Sequence, residues 1–229
     1  MVDSAVVRVG HLEIAYRVAG GPEARPLVLL HALGEDSGDW GEVIDALAPT
    51  RRVYAPDLRG HGRSSWPGLY SLELMRADVL SFLDALELPV VDMVGHSLGG
   101  VVAYLLAEEQ PARVERLVLE EPAPPLPATP PRQVPSRTDG PLTFDWAVVE
   151  ALTAQRNAPD PEWWAQLPRI TASTLVVAGG SASHLPQNQL ADLAARIPGG
   201  RAITIEAGHE VHATEPARFL TVVEAFLRR

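Results

Sequence analysis

A serine between two glycines is the feature of this sequence that most clearly predicts chemistry. Gly95-His96-Ser97-Leu98-Gly99 matches the pattern G-x-S-x-G, in which a nucleophilic serine stands on a sharp turn between a strand and a helix. A hydrophobic run precedes Gly95 and a helical pattern follows Leu98, so the expected context is present. We predict that Ser97 is a nucleophile; the alternative is a glycine-rich turn with an incidental serine.

A serine hydroxyl needs a base, and His209 is the best placed of the seven histidines. It follows the last predicted strand and precedes the last helix, so we expect it at the carboxyl edge of the sheet with Ser97. His212 is expected to pack or cap locally, and HEVH is too short to match the zinc pattern H-E-x-x-H, so no metal is predicted. His31 and His61 are expected to be structural, His96 is the variable position of the turn, and His11 and His184 show no pattern.

Attack on a carbonyl also requires hydrogen-bond donors for the oxyanion that develops. The amide of Leu98, directly after the serine, is one predicted donor. The second should come from the loop after the third strand, HALGED, and we assign it to the amide of Leu33.

The elements that must position these residues alternate along the chain. SAVVRVGHLEIAYRVAGG alternates apolar and polar residues, which predicts an antiparallel hairpin. Continuous apolar runs predict strands buried on both faces, and they occur in RPLVLLHALG, RRVYAPD, VVDMVGHS, VERLVLEE and STLVVAGG, with a further strand in RAITIEAGH. Helical patterns cover residues 40–48, 72–86, 98–109, 189–197 and 216–227. This alternation predicts an α/β protein with a mainly parallel sheet.

One proline-rich stretch, residues 122–146, interrupts the alternation. Proline removes backbone donors and fixes φ, so neither a strand nor a long helix is expected at its start. Short helices are predicted in TFDWAVVEALTAQ and DPEWWAQL, and the stretch brings three tryptophans that a packed lid would bury: Trp146, Trp163 and Trp164. We therefore predict a core of residues 1–121 and 169–229 with a cap at 122–168; the alternative is an ordinary long connection.

The composition of the chain limits the classes of partner that it is expected to bind. The formal net charge is −10, which argues against nucleic acid or an anionic membrane surface. There is no cysteine, which excludes disulfides, thiolate metal sites and a cysteine nucleophile. Apolar runs fall short of the ~20 residues of a membrane span, and the start lacks a secretory-signal pattern. We expect a cytoplasmic protein that acts on a small-molecule acyl substrate without a cofactor.

Several segments together resemble the α/β-hydrolase superfamily. LVLLHALGEDSGDW, YAPDLRGHGRSSWP, MVGHSLGGVVAYLLAEEQPARVERLVLEE, TLVVAGG and EAGHEVHATEPARFL are similar to its successive blocks and follow in the same order. The resemblance covers nearly the whole chain outside the proline-rich insertion. It implies a mostly parallel eight-stranded sheet flanked by helices, a variable cap inserted after the sixth strand, and a triad in the order serine, acid, histidine.

Two positions depart from the family pattern. His31-Ala32 stands where many members have H-G, and the loop after the seventh strand, AGGSASHLPQNQ, lacks the usual aspartate. Some family branches take the acid from the end of the sixth strand, and Glu121 matches that position. Glu120 is expected to point to the other side of the strand. Glu121 is our candidate acid, with Glu120, Asp145 or no acid as the alternatives.

These residues predict a serine hydrolase that works through a Ser97–His209–Glu121 triad and an acyl-enzyme. Because the predicted lid is rich in tryptophan and proline, the expected substrate is a small to medium, fairly apolar ester, thioester or lactone, as for a carboxylesterase. The fold hosts many chemistries, so three alternatives stay open: a non-catalytic small-molecule receptor, a carbon–carbon bond hydrolase and an acyltransferase.

Overall fold

A mostly parallel sheet forms the centre of the protein. The computed structural model describes residues 1–127, 129–137 and 139–228. Its strands are β1 (Val2–Val9), β2 (Leu12–Ala19), β3 (Pro26–Leu30), β4 (Arg52–Pro56), β5 (Val91–His96), β6 (Val114–Glu120), β7 (Ser173–Ala178) and β8 (Arg201–Thr204). They form one eight-stranded sheet in the order β1-β2-β4-β3-β5-β6-β7-β8. β1 and β2 are the predicted antiparallel hairpin, and the pairs from β4 through β3, β5, β6 and β7 to β8 are parallel. The predicted fold class is confirmed.

Helices cover both faces of the sheet. They are α1 (Gly41–Leu47), α2 (Leu72–Ala85), α3 (Leu98–Glu109), α4 (Ala147–Asn157), α5 (Pro161–Gln166), α6 (Gln187–Arg196), α7 (Val211–Thr214) and α8 (Pro216–Leu227). Ser71 caps α2 by accepting a hydrogen bond from the Leu74 amide at 3.2 Å. Within the described part of the chain, none of these helices combines the length and apolarity that crossing a bilayer requires.

The continuous apolar run in β3 serves two hydrophobic cores. Val28 and Leu30 pack with α2, α3 and α6 on one face of the sheet, and Leu27 and Leu29 pack with α1 and α8 on the other. Each of these four side chains is fully buried, and burial of one such side chain contributes about 1.5–3 kcal/mol. The strands are therefore fixed from both sides, which holds their carboxyl ends in register.

The segment between β6 and β7 folds against the core. It contains α4 and α5, and Trp163 in α5 is buried. Backbone contacts join it to the loop after β4: the Gly62 amide donates to the Thr143 carbonyl at 2.8 Å, and the Asp145 amide donates to the Gly60 carbonyl at 2.8 Å. The division into a core and a cap stays a prediction, but this segment covers the carboxyl edge of the sheet.

Candidate active site

Ser97 lies on the predicted sharp turn. β5 ends at His96 and α3 begins at Leu98, which leaves Ser97 alone between them at φ 49° and ψ −109°. A positive φ is costly for a residue with a side chain and persists only where the surroundings impose it. Here the Ser97 amide donates to the Glu120 carbonyl at 2.9 Å. The backbone therefore holds the serine rigidly at the end of the strand.

Both flanking glycines are required by the close approach of the backbone. A Cβ on Gly95 would lie 2.4 Å from the Gly99 carbonyl oxygen, and a Cβ on Gly99 would lie 2.1 Å from the Leu30 carbonyl oxygen. Neither separation is physically possible. The G-x-S-x-G pattern is thus explained by sterics at this turn.

Glu121, the residue after β6, presents a buried carboxylate to His209. Its φ is 46° and its side chain is fully buried. Its Oε2 lies 3.2 Å from His209 Nδ1. Burial opposes ionisation, but hydrogen bonds from His209, Ser183, the Gly179 amide and Gln187 outweigh burial and lower the pKa of Glu121. The carboxylate is therefore charged at neutral pH.

The loop that lacks the usual aspartate supplies the donors that hold Glu121. The Gly179 amide and Gln187 Nε2 donate to Oε1, and the Ser183 hydroxyl donates to Oε2. The missing carboxylate in this loop was apparent from the sequence, but the role of these donors was not predicted. The polar residues in SASHLPQNQ were the feature that could have indicated hydrogen-bond donors at this position.

Glu120 points to the other side of the strand and pairs with His212. Its carboxylate accepts from the His212 amide at 2.8 Å and lies 2.9 Å from His212 Nδ1, while His212 Nε2 lies 3.3 Å from Asp39 Oδ2. Burial opposes charging of the imidazole, but Asp39 and Glu120 outweigh it and raise the pKa of His212 to about 10. His212 packs as expected, since its ring stacks on that of Trp40 with the centroids 4.3 Å apart. The expectation was incomplete, because the buried imidazolium also links carboxylates from two separate parts of the chain.

His212, Asp39 and His96 bring ligand-type atoms within 4.8 Å of one another. A protonated imidazole has no lone pair for a metal. Because His212 is charged between two carboxylates, a buried ion pair accounts for this cluster.

Asp145, the other alternative acid, is engaged in the segment between β6 and β7. Its Oδ2 accepts from the Tyr70 hydroxyl at 2.7 Å and its Oδ1 accepts from the Ala147 amide at 3.1 Å, at the start of α4. Of the three candidate acids, Glu121 is the one that contacts His209.

Two further histidines adjoin His209. His96 Nε2 lies 2.9 Å from the His209 carbonyl oxygen, so this nitrogen carries the proton and fixes the backbone of the base. The pKa of His96 is lowered, chiefly by burial, which keeps it neutral. The His184 ring lies 4.3 Å from the His209 ring, centroid to centroid, although no sequence pattern marked His184 as a residue of the site.

His31 and His61 are buried away from the base. His31 Nε2 accepts from the Leu58 amide at 2.9 Å, and His61 Nδ1 lies 3.0 Å from the Arg59 carbonyl oxygen. Burial lowers the pKa of both, that of His61 to about 3. Their contacts agree with the structural role that we expected.

A cavity of about 320 Å³ opens at Ser97. Leu33 and Leu98 line it, so the two predicted oxyanion donors belong to residues around the same space. Leu98 begins α3, and the first amide of a helix has no acceptor within the helix. The remaining wall combines apolar and polar side chains and comes largely from the segment between β6 and β7, which contributes Pro124, Leu152 and Trp163 to its apolar part.

Known proteins share this architecture and part of this sequence. A hydrolase from Pseudomonas aeruginosa PA01 superposes with a TM-score of 0.88 at 29% identity over 98% of both chains. The enol-lactonase from Burkholderia xenovorans LB400 superposes with a TM-score of 0.87 at 26% identity, over 98% of this chain and 100% of that one. Both likenesses extend over nearly the whole chain, so this chain shares the fold of two proteins that are named as hydrolases.

Curated relatives match over a shorter region. The 2-hydroxymuconate semialdehyde hydrolase of Pseudomonas sp. strain CF600 is 40% identical over 99 residues, which are 41% of this chain and 35% of that relative. The chain spans about a third of the length of the curated relatives that it matches, from 30% to 35% for the first of them. Residues 25–170 match the family model described as alpha/beta hydrolase fold, and the chain belongs to that family.

Proposed function

We propose that this protein is a cofactor-independent serine hydrolase of the carboxylesterase type, acting on small to medium, fairly apolar esters, thioesters or lactones. One observation carries the proposal. Ser97 stands on a strained turn at the mouth of a cavity, and a hydrogen-bonded His209–Glu121 pair lies at the same edge of the sheet. A turn of this kind costs free energy, and such strain is often found at active sites, where it presents a reactive side chain.

The contact with Glu121 sets the tautomer of the base. A carboxylate only accepts, so His209 Nδ1 carries the proton and Nε2 keeps the lone pair that can take the proton of Ser97. The serine oxygen then bonds to the carbonyl carbon, and the oxyanion is stabilised by the amides of Leu98 and Leu33. His209 passes its proton to the leaving group as the bond to it breaks. A water molecule activated by His209 then releases the acid and restores the serine.

The cavity supports the proposed substrate size. Its volume of about 320 Å³ is at the small end of the ~300–1,000 Å³ typical of ligand sites. Its proline, leucine and tryptophan wall favours an apolar chain. The name of the full-length structural relative, an enol-lactonase, supports lactones among the candidate substrates.

Carbon–carbon bond hydrolysis is the second candidate. Two curated relatives, 40% and 42% identical over 99 residues, are named as hydrolases of 2-hydroxymuconate semialdehyde and of 2-hydroxy-6-oxo-2,4-heptadienoate. Neither named compound contains an ester bond. The same serine and base would serve such a reaction, because it also passes through attack on a carbonyl.

The test is hydrolysis of p-nitrophenyl esters from acetyl to decanoyl by the wild type and by Ser97→Ala. Exposed Ser81 in α2 offers the matched control, Ser81→Ala. We expect the wild type and the control to hydrolyse the esters and Ser97→Ala to lose this activity. The acyl chain length that is hydrolysed fastest should indicate the size of the cavity. Turnover that survives in Ser97→Ala would refute the assignment of the nucleophile. Release of the acyl group onto added alcohols would instead identify an acyltransferase.

A further inference from the structure

Two arginines line the cavity that opens at Ser97. They are Arg132 and Arg156, both from the segment between β6 and β7, and the described cavity wall contains no aspartate or glutamate. The chain as a whole carries a net charge of −10. This acidic protein therefore has a cavity whose described wall carries two positive charges and no carboxylate.

In the described part of the chain, Arg156 lacks the carboxylate partner that both buried arginines have. Arg51 pairs with Asp92 and Arg59 pairs with Asp78. Arg156 is half-buried, yet among the described residues no carboxylate lies within ion-pair distance of its guanidinium. A partly desolvated cation without a counter-ion is costly, so an anionic ligand would gain free energy at this position.

Local structure holds the second arginine close by. Asn157, the last residue of α4, accepts from the Arg132 amide at 2.7 Å and donates to the Arg132 carbonyl at 2.8 Å. These bonds tie the Arg132 backbone to the residue after Arg156. Burial, and then the like charge of Arg132, lower the pKa of Arg156 to about 10, which leaves the Arg156 guanidinium charged at neutral pH.

The other titratable groups facing Arg156 do not neutralise it. Tyr104 is buried and its pKa is raised above its usual value, chiefly by burial. Glu108 interacts with Tyr104 rather than with Arg156; burial raises its pKa to about 8, so this carboxyl is protonated at neutral pH. His184 has a lowered pKa, chiefly through burial, with smaller contributions from His209, Arg132 and Arg156, and stays neutral. The positive field reaches His184, which contacts the base His209.

We propose that Arg156, assisted by Arg132, binds a carboxylate of the substrate inside the cavity that opens at Ser97. A guanidinium presents parallel donors that match the two oxygens of a carboxylate. The preferred substrate then has a carbonyl at Ser97, an apolar middle and a carboxylate beyond it, as in a half-ester of a dicarboxylic acid. The prediction of a carbonyl at Ser97 rests on the proposed function, whereas the prediction of an anion site at Arg156 does not.

The kinetic test compares p-nitrophenyl hydrogen glutarate with its neutral methyl ester. The wild type should prefer the anionic ester by about ten- to a hundredfold in kcat/KM, the range for a charged hydrogen bond. Arg156→Gln should abolish that preference and Arg132→Gln should reduce it. Arg137→Gln, an exposed arginine of the same segment outside the cavity wall, should retain it. An unchanged preference in both cavity variants would overturn the proposal.

The binding test does not depend on turnover. Calorimetry with glutarate monomethyl ester uses Ser97→Ala protein, alone and combined with Arg156→Gln or Arg132→Gln, and circular dichroism checks that each variant is folded. The affinity should fall at least about tenfold without Arg156. Binding that is lost with Arg156, together with no hydrolysis of any ester, thioester or lactone by the wild type, would refute the proposed function and keep the anion site. Ester turnover with equal binding by all variants would keep the function and refute the site.

Discussion

Replacing Glu121 by glutamine removes the negative charge beside His209 while keeping the shape of the side chain. Glu121 Oε1 accepts from the Gly179 amide and Gln187 Nε2, and Oε2 accepts from the Ser183 hydroxyl and faces His209 Nδ1. A backbone amide cannot become an acceptor. The new side-chain oxygen must therefore stay at the Oε1 position, which turns the new NH₂ group toward Ser183 and His209.

This orientation predicts the wrong tautomer of the base. Ser183 can rotate its hydroxyl to accept from the new amide, and His209 can accept at Nδ1 only by moving its proton to Nε2. An Nε2 that carries a proton cannot take the proton of Ser97. The imidazolium that forms in the transition state also loses its anionic partner. We expect the acylation rate constant to fall by about 10³ to 10⁴, equivalent to about 4–5.5 kcal/mol.

The assay is single-turnover acylation by a p-nitrophenyl ester in stopped flow. Ser183→Ala is the matched control, because it removes one hydrogen bond to Glu121 but keeps the charge, and its loss should be about tenfold. Thermal unfolding should show that both variants are folded. Acylation by Glu121→Gln within about tenfold of the wild type, or equal losses in both variants, would refute the reasoning.

Three further predictions concern the stability of the fold. Burial raises the pKa of Glu108 from 4.5 to about 8 in the folded state, so the stability of the wild type falls as pH rises through that range. In urea unfolding, the free energy of unfolding of Glu108→Gln relative to the wild type should therefore rise by at least about 2 kcal/mol between about pH 5 and 8. A difference between the two proteins that stays constant with pH would contradict this. His212 has its folded pKa raised from 6.5 to about 10, so its contribution is complete below the lower value and is lost toward the higher one. His212→Gln should cost about 3–5 kcal/mol near neutral pH, a deficit that shrinks by up to about 1.4 kcal/mol per pH unit on the way to about pH 10; a deficit that grows would show the sign to be wrong. Gly99→Ala places a Cβ 2.1 Å from the Leu30 carbonyl oxygen and should abolish Ser97 reactivity or the fold, whereas Gly21→Ala, where a Cβ meets nothing within 4 Å, should be tolerated in a thermal-shift assay.

Local patterns were sufficient to predict an α/β protein with a mainly parallel sheet, and the resemblance to the α/β-hydrolase superfamily implied its eight strands. The bounds of α3 and α8 agree with the predicted helices, because a sharp turn or a proline marks each start. α6 begins at Gln187, ahead of the predicted residue 189, since Pro186 at its N-cap allows the helix to begin directly after it. The buried strands were recognisable because residues covered on both faces must be apolar throughout.

The contacts within the site were less predictable, because they join segments that are far apart in the chain. The alternation of side chains along β6 correctly separated Glu120 from Glu121. In contrast, the donors from Ser183 and Gln187 to Glu121 depend on how the loop after β7 folds back. The direction of Arg156 into the cavity depends on how α4 packs, and no sequence period encodes that packing.

Labelling of Ser97 by a fluorophosphonate is the most direct test of the central claim, because it reports an activated serine without requiring the natural substrate. We predict one adduct per chain, located by mass spectrometry on the peptide that contains Ser97, with rapid labelling in the wild type and labelling slowed by orders of magnitude in His209→Ala and Glu121→Gln. Labelling at another serine, or equal rates in all three proteins, would contradict the account.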